Sequence, residues 1–143
     1  MEIITNNAKQ TQKAGSELAK EIIETKKSDK NAFIIAMQGD LGSGKTTFIQ
    51  GVAKGLGIVE QITSPTFVIM KKYNLIDYLF FHIDCYRLES SKDILDLGFE
   101  EMISRPENFI VIEWAERIKD ILPDNTLWIK FEYINKNKRG IWL

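Results

Sequence analysis

Eight residues constrain this chain more than any others. Residues 39 to 46 read GDLGSGKT, a complete match to G-x-x-x-x-G-K-[ST] with Gly39, Gly44, Lys45 and Thr46 in the four fixed places. Glycines without Cβ atoms let backbone N–H groups converge on phosphate oxygens, and a helix starting at the end of the loop turns its positive N-terminal end toward the same charge. Lys45 then reaches the β- and γ-phosphates, and the Thr46 hydroxyl is placed to ligate a magnesium ion bridging them. At ordinary amino-acid frequencies the four fixed types coincide in roughly one chain in two hundred of this length. The flanks therefore decide the matter, because the loop has to join a strand to a helix.

The flanks meet that condition. Ala32 to Met37 is a short, almost unbroken apolar run, the pattern of a central strand covered on both faces. Phe48, Ile49, Val52, Ala53 and Leu56 mark one helical face, with Gly55 and Gly57 as stop signals at its end. Upstream, Ala14, Leu18, Ala19, Ile22 and Ile23 recur at helical spacing and predict an amphipathic helix from about Asn7 to Thr25, ended by the polar stretch ETKKSDKN. Downstream, Thr66 to Tyr73 and Leu79 to Ile83 flank Asn74 to Asp77 as a hairpin, an antiparallel edge on a parallel sheet. Ile94, Leu95, Leu97, Phe99 and Met102 predict short helices, and Phe109 to Ile112 another buried strand. Leu127, Ile129, Phe131 and Tyr133 alternate with Trp128, Lys130 and Glu132 as a half-exposed strand, and a polar turn from Asn135 to Gly140 leads into a last strand, Ile141 to Leu143. The expected fold is α/β and P-loop NTPase-like: a mixed, mainly parallel sheet flanked by helices, with an antiparallel hairpin, in a single domain over residues 1–143.

Composition narrows the function classes. With 143 residues, 44% hydrophobic and 27% charged, the chain matches an ordinary soluble domain and is short for two full-sized ones. Nineteen basic side chains against twenty acidic ones leave a net charge of -1, so no general positive field holds it on a phosphate backbone. The opening MEIITNNAKQ lacks the apolar core of a secretory signal, and no run approaches the roughly 18 apolar residues of a membrane span, which predicts a cytoplasmic protein without a membrane. The single cysteine, Cys85, has no disulfide partner and no neighbours at zinc-ligand spacing, and reads as a packing residue.

Several side chains outside the loop are candidates for chemistry. Glu113 closes the strand FIVI, where a carboxylate holds magnesium directly or through water opposite Thr46, or stands as a strand-end charge in solvent. Trp114 beside it reads as packing, with its indole near a nucleotide if the strand assignment holds. In the run HIDCYRL, Asp84 suits orientation of an attacking water or the metal shell. For His82 a hydrogen-bonded structural role outweighs catalysis, since nothing in the sequence pairs it with a nucleophile. Arg87 suits a phosphate contact or an ion pair equally. Ser64, Pro65 and Thr66 make a stiff turn with two hydroxyls, either a γ-phosphate sensor or simply a turn. Asp40 is an acidic loop residue that solvent alone would explain.

The runs GDLGSGKTTF, ITSPTF, HIDCYRL, LGFEE and FIVIEWAE, in this order and spacing over about residues 37 to 117, resemble the bacterial TsaE ATPases, also called the YjeE family. The N-terminal helix around Thr11 and the closing strand resemble it too, so the likeness covers nearly the whole chain. The loop alone marks thousands of proteins; its combination with SPT, HxDxYR and IEW is specific. Ala115 departs from the family's usual Pro or other small residue at that place.

The resemblance implies an ATPase that uses ATP and Mg2+, is required for the threonylcarbamoyladenosine modification of tRNA, and acts with the TsaB and TsaD proteins and a threonylcarbamoyl-adenylate made elsewhere, touching tRNA only indirectly. It implies nucleotide contacts from Gly39, Asp40, Leu41, Gly42, Ser43, Gly44, Lys45, Thr46 and Thr47 in the loop, with Thr11 near the adenine and Thr66 at the γ-phosphate. It implies catalytic roles for Lys45 and Asp84, and magnesium ligation by Thr46 and Glu113. Three rivals share the loop. A small-molecule kinase shields the transferred phosphoryl group with clustered arginines, whereas Arg87, Arg105, Arg117 and Arg139 are scattered along the chain. A GTPase switch reads guanine with Asn-Lys-x-Asp, where Asn135 to Lys138 reads NKNK. A binding module that has lost hydrolysis is distinguished by phosphate release.

Overall fold

Residues 1–25, 30–63 and 69–143 are described by a computed structural model, so the Ser64-Pro65-Thr66 turn and the first residues of the expected hairpin strand lie outside the described residues. The described residues form the expected mixed α/β fold, with seven strands. They divide into two compact units, each assembled from separated stretches of chain. One unit holds β1 (Glu2–Thr5), α1 (Ala8–Thr25), the glycine loop, α2 (Lys45–Leu56) and, from the C-terminal end, most of β6 (Leu127–Tyr133) and all of β7 (Arg139–Trp142). The other holds β2 (Phe33–Gln38) up to Met37, β3 (Met70–Asn74), β4 (Leu79–Asp84), α3 (Lys92–Leu95), α4 (Phe99–Ile103), β5 (Asn108–Glu113) and a 3-10 helix over Ala115–Ile121.

In the first unit β1, β7 and β6 run antiparallel to their neighbours, with Ile3 opposite Ile141 and Ile141 opposite Phe131. The strand Glu2–Thr5 has no counterpart in the sequence reading. Four residues carry too little periodicity to announce a strand, and this one exists because β7 offers it a ladder. The chain ends close that ladder: the Met1 ammonium donates to the Leu143 carbonyl at 3.0 Å and the Leu143 N–H to the Met1 carbonyl at 2.9 Å.

The helices α1 and α2 of this unit approach closely through glycines. A Cβ added at Gly51 would overlap the Gln12 carbonyl oxygen, one at Gly15 would overlap the Phe48 carbonyl oxygen, and one at Gly55 would lie 2.6 Å from the Ser16 carbonyl oxygen. Gly55 is therefore not the stop signal the sequence predicts. It lies inside α2, where missing side-chain bulk lets the α1 backbone in, and the stop falls to Gly57 alone, left-handed at φ 94° with its N–H on the last-turn carbonyls. Gln12 donates to the Gln50 side chain at 3.0 Å across this seam, and Gln50 donates to the Ile62 carbonyl at 3.0 Å. Phe48 of α2 also meets Phe131 of β6 edge to face, with centroids 5.2 Å apart.

In the second unit β2, β5 and β4 are parallel neighbours, and β3 returns antiparallel on β4 as the expected edge hairpin. Every residue of β5 is buried, as an unbroken apolar run requires. Its core joins Ala36, Phe81, Ile83, Ile110 and Ile112 of the strands to Ile94, Phe99 and Ile118 of the helical segments. Cys85 belongs to this core, and burial, reinforced by the Asp84 and Glu116 charges, pushes its thiol up to about 12, so it stays neutral and packs. Among the described residues no helix is long and apolar enough to cross a membrane.

The glycine seam yields a sharp expectation. Gly51→Ala raises intrinsic helix propensity by about 1 kcal/mol, yet it should destabilise the protein by about 1–3 kcal/mol because the added methyl has no room against Gln12. Urea unfolding of the variant, compared with the wild type, measures the difference.

Candidate functional site

The loop after β2 is shaped by three glycines in backbone conformations that side chains rarely adopt: Gly39 at φ 152°, Gly42 at φ 76° and Gly44 at φ 100°. Gly39 is also hemmed in, since a Cβ there would lie 2.6 Å from the Phe131 carbonyl oxygen and 2.9 Å from the Ser43 hydroxyl. The Ser43 N–H closes the turn on the Asp40 carbonyl at 3.1 Å. Gly44 is the N-cap of α2 and brings no side-chain cap, so nothing of its own covers the N–H groups of the helix's first turn.

The side chains of the loop divide by exposure. Asp40, Leu41 and Gly42 form an exposed tip, whereas Ser43 and Lys45 are buried and Thr46 and Thr47 half-buried at the start of α2. The Lys45 ammonium bends back over the loop and donates to the Gly39 carbonyl and, at 3.4 Å, to the Asp40 carbonyl. The Ser43 hydroxyl is 1% exposed and has no hydrogen-bond partner among the described residues. A buried lysine, an unpartnered buried hydroxyl and an uncapped helix N-terminus on one glycine turn fit a phosphate chain.

Thr11 lies in the first turn of α1, which Asn7 opens by accepting the Gln10 N–H on its side chain at 2.9 Å. Its hydroxyl is buried against the Thr5 hydroxyl at 2.7 Å and also donates to the Asn7 carbonyl. The same unit carries a cavity of about 720 Å³ lined by Gly39, Asp40, Phe131, Glu132, Tyr133 and Trp142, with Lys130 at its wall. Arg139 reaches the loop as well: its side chain would be 3.3 Å from a Cβ on Gly44, and its guanidinium lies 4.6 Å over the Tyr133 ring. Sequence reasoning missed these β6 and β7 residues. Their only signal was the alternation that put Lys130 and Glu132 on one face of β6.

The second unit carries the acidic candidates. Asp84 and Glu113 face each other in register at the carboxyl ends of the parallel strands β4 and β5, the end of such sheets at which ligands are held. Glu113 is 3% exposed, and its Oε2 is 2.7 Å from His82 Nε2. The hydrogen-bonded role expected of His82 thus has a named partner, which the sequence could not supply because it lies 31 residues away on another strand. Asp84 is half-buried and accepts the Tyr86 N–H at 2.9 Å, fixing the turn that leaves β4. Trp114 comes directly after Glu113 at φ 57°, the one positive φ outside glycine among the described residues, a conformation costing a bulky residue about 1–2 kcal/mol. Its ring lies 5.0 Å from that of Tyr86, with the Arg117 guanidinium 5.7 Å over Tyr86 and 5.9 Å over Trp114. Arg87 is exposed.

Thr11 and Gly39 through Thr47 therefore belong to one unit, Asp84 and Glu113 to the other, and Thr66 falls outside the described residues. Among the described residues no group of three His, Cys, Asp or Glu side chains could hold a metal. The Asp84–Glu113 pair supplies hard oxygen donors of the kind magnesium takes one or two at a time.

Comparison with known proteins bears on the family and the fold. The family model described as threonylcarbamoyl adenosine biosynthesis protein TsaE matches residues 5–141. The tRNA threonylcarbamoyladenosine biosynthesis protein TsaE of Rickettsia felis is 37% identical over 138 residues, spanning 96% of this chain and 75% of that one. The protein of the same name from Treponema pallidum is 41% identical over 108 residues, spanning 76% of this chain and 78% of that one. Among solved structures, the crystal structure of Bacillus subtilis YdiB aligns with a TM-score of 0.75 at 30% identity, covering 99% of this chain and 82% of the other.

The loop geometry separates two glycines experimentally. Gly39→Ala should cost about 1–3 kcal/mol, combining a left-handed backbone with overlap on the Phe131 carbonyl. Gly42→Ala, whose Cβ meets nothing within 4 Å, should cost only the backbone strain of about 1 kcal/mol. Paired urea denaturation curves check the order.

Proposed function

The chain belongs to the TsaE family and so to tRNA threonylcarbamoyladenosine biosynthesis, and from that premise we propose that it is a magnesium-dependent ATPase acting in the cytoplasm on the TsaB and TsaD proteins. The observation that carries this reading is the glycine loop with the Lys45 ammonium folded over it and the uncapped N-terminus of α2 behind it.

Each residue then has a task that its chemistry permits. Backbone N–H groups of the loop and of the first turn of α2 bind the phosphates, in a turn whose positive φ values at Gly39, Gly42 and Gly44 suit glycine. Lys45 exchanges the Gly39 and Asp40 carbonyls for β- and γ-phosphate oxygens and offsets the charge that gathers on them. The Thr46 hydroxyl and the Glu113 carboxylate are the side chains that would hold magnesium, which would supply positive charge to offset the phosphate charge during transfer. Asp84 orients the attacking water, whose oxygen forms the new bond to the γ-phosphorus as the bond to the ADP oxygen breaks. Thr11 contributes near the adenine, and Thr66 senses the γ-phosphate. Asp40, Leu41, Gly42, Ser43, Gly44 and Thr47 complete the nucleotide contacts.

The partner assignment rests on how the residues are used. Most of 143 residues go into strands, two long helices and the loop, and the charge balance provides no general hold on tRNA. The hydrolysis therefore acts on another protein, and the tRNA is reached through TsaD and TsaB.

Two outcomes are expected. Lys45→Ala and Thr46→Ala should each lower turnover by roughly 100-fold or more, equivalent to about 3 kcal/mol of lost transition-state stabilisation, with unchanged far-UV circular dichroism. Phosphate release by the folded variants measures this, and near-wild-type turnover sinks the assigned roles. Binding to purified TsaB–TsaD should be tighter in ATP than in ADP, with faster hydrolysis in the complex. Calorimetry in each nucleotide decides it, and equal affinities defeat the nucleotide-switched model.

A further inference from the structure

Carboxylates that hold metals are commonly oriented by hydrogen bonds from neighbours that do not touch the metal. The pair His82 and Glu113 has that form. His82 is completely buried in β4, with Phe81 and Ile83 as its chain neighbours. Packing alone favours an apolar side chain at such a place, because a buried imidazole loses hydration that only hydrogen bonds return. Its Nε2 lies 2.7 Å from Glu113 Oε2, and its Nδ1 has no hydrogen-bond partner among the described residues. The bond to Glu113 is thus the one that accounts for a histidine here. An ionised carboxylate only accepts hydrogen bonds, so Nε2 is the donor whenever Glu113 carries its charge.

The strand register makes the contact possible. His82 pairs with Val111 in the parallel ladder, and Glu113, two residues on, projects from the same face of the sheet. The imidazole reaches the carboxylate from the strand interior, behind the carboxyl ends at which Asp84 and Glu113 stand.

We infer that His82 is a positioning residue: by holding Oε2 it fixes the plane in which the Glu113 carboxylate is presented to a divalent cation. The inference rests on the reading of Glu113 as a magnesium ligand. His82 touches neither metal nor nucleotide and acts only through Glu113.

The test uses the full chain with Mn2+ as the probe, its affinity read by electron paramagnetic resonance in the presence of ADP, alongside ADP affinity measured by calorimetry in EDTA. In His82→Gln the side-chain amide nitrogen stands about as far from the backbone as Nε2. In His82→Asn it reaches only to the Nδ1 position, and His82→Leu has no donor. His82→Leu and His82→Asn should weaken Mn2+ binding by about 10- to 100-fold, the usual effect of removing such a partner. His82→Gln should restore most of that affinity, and metal-free ADP binding should be the same in all three. Wild-type Mn2+ affinity in folded His82→Leu overturns the inference, as does metal-free ADP affinity that falls in step with Mn2+ affinity. If His82→Leu does not fold, the order of the other two decides: His82→Gln binding Mn2+ no better than His82→Asn overturns it. Glu113→Gln measured in parallel tells the two readings apart. If that variant binds Mn2+ as the wild type does, the premise about Glu113 falls and the inference with it; if it binds weakly while the histidine variants are unaffected, only the role of His82 falls.

Discussion

The close seating of α1 on α2 sets the direction of the helix on which the whole glycine loop depends. Gly15 and Gly51 bring each backbone against a carbonyl of the other helix, and Gln12, Gln50 and the Ile62 carbonyl tie the seam with hydrogen bonds. A helix held this tightly along its length has little freedom at its first turn. The N-terminal end of α2 is thereby pre-organised by contacts one to three turns away from it, so its exposed backbone N–H groups are held in place before anything binds them.

The loop itself trades side chains for backbone. Its three left-handed glycines raise the entropy that folding must remove, and Lys45 supplies a partial return by donating to the carbonyls of Gly39 and Asp40. A ligand with phosphate oxygens offers the ammonium better acceptors than two peptide carbonyls, since charge-assisted hydrogen bonds are the stronger kind. The same residue that steadies the loop is therefore the one a phosphate would recruit.

The acidic pair of the second unit obeys a different constraint. Parallel strands place their carboxyl ends side by side, so Asp84 and Glu113 come into register without any sequence signal linking them. The chain leaves the two strands in different ways. Asp84 shapes its own exit turn by accepting the Tyr86 N–H. Glu113 gives way to Trp114 in a left-handed conformation, held by its contacts with Tyr86 and Arg117. A bulky residue held at positive φ directly beside a buried carboxylate is a local strain that the surrounding packing has to offset.

The sequence by itself determined the loop, the strand before it and the helix after it, because spacing within eight residues and periodicity in the flanks are local properties. The same holds for β4 and β5, whose apolar runs identify buried strands, and for Asp84 and Glu113, which stand at the ends of those runs. The five short runs that resemble the TsaE family likewise carried the assignment that the family match over residues 5–141 bears out. Only the tertiary structure decided the rest. The strand Glu2–Thr5 depends on pairing with β7 at the far end of the chain. Gly55 looks like a helix stop and is a packing contact, because only the neighbouring helix reveals that its missing side chain is needed. The partner of His82 is 31 residues away on the adjacent strand, and the cavity beside Gly39 is walled by residues of β6 and β7. In each case the deciding interaction joins positions distant in the chain, and a propensity or a motif contains no term for what a residue will meet once the chain has closed on itself.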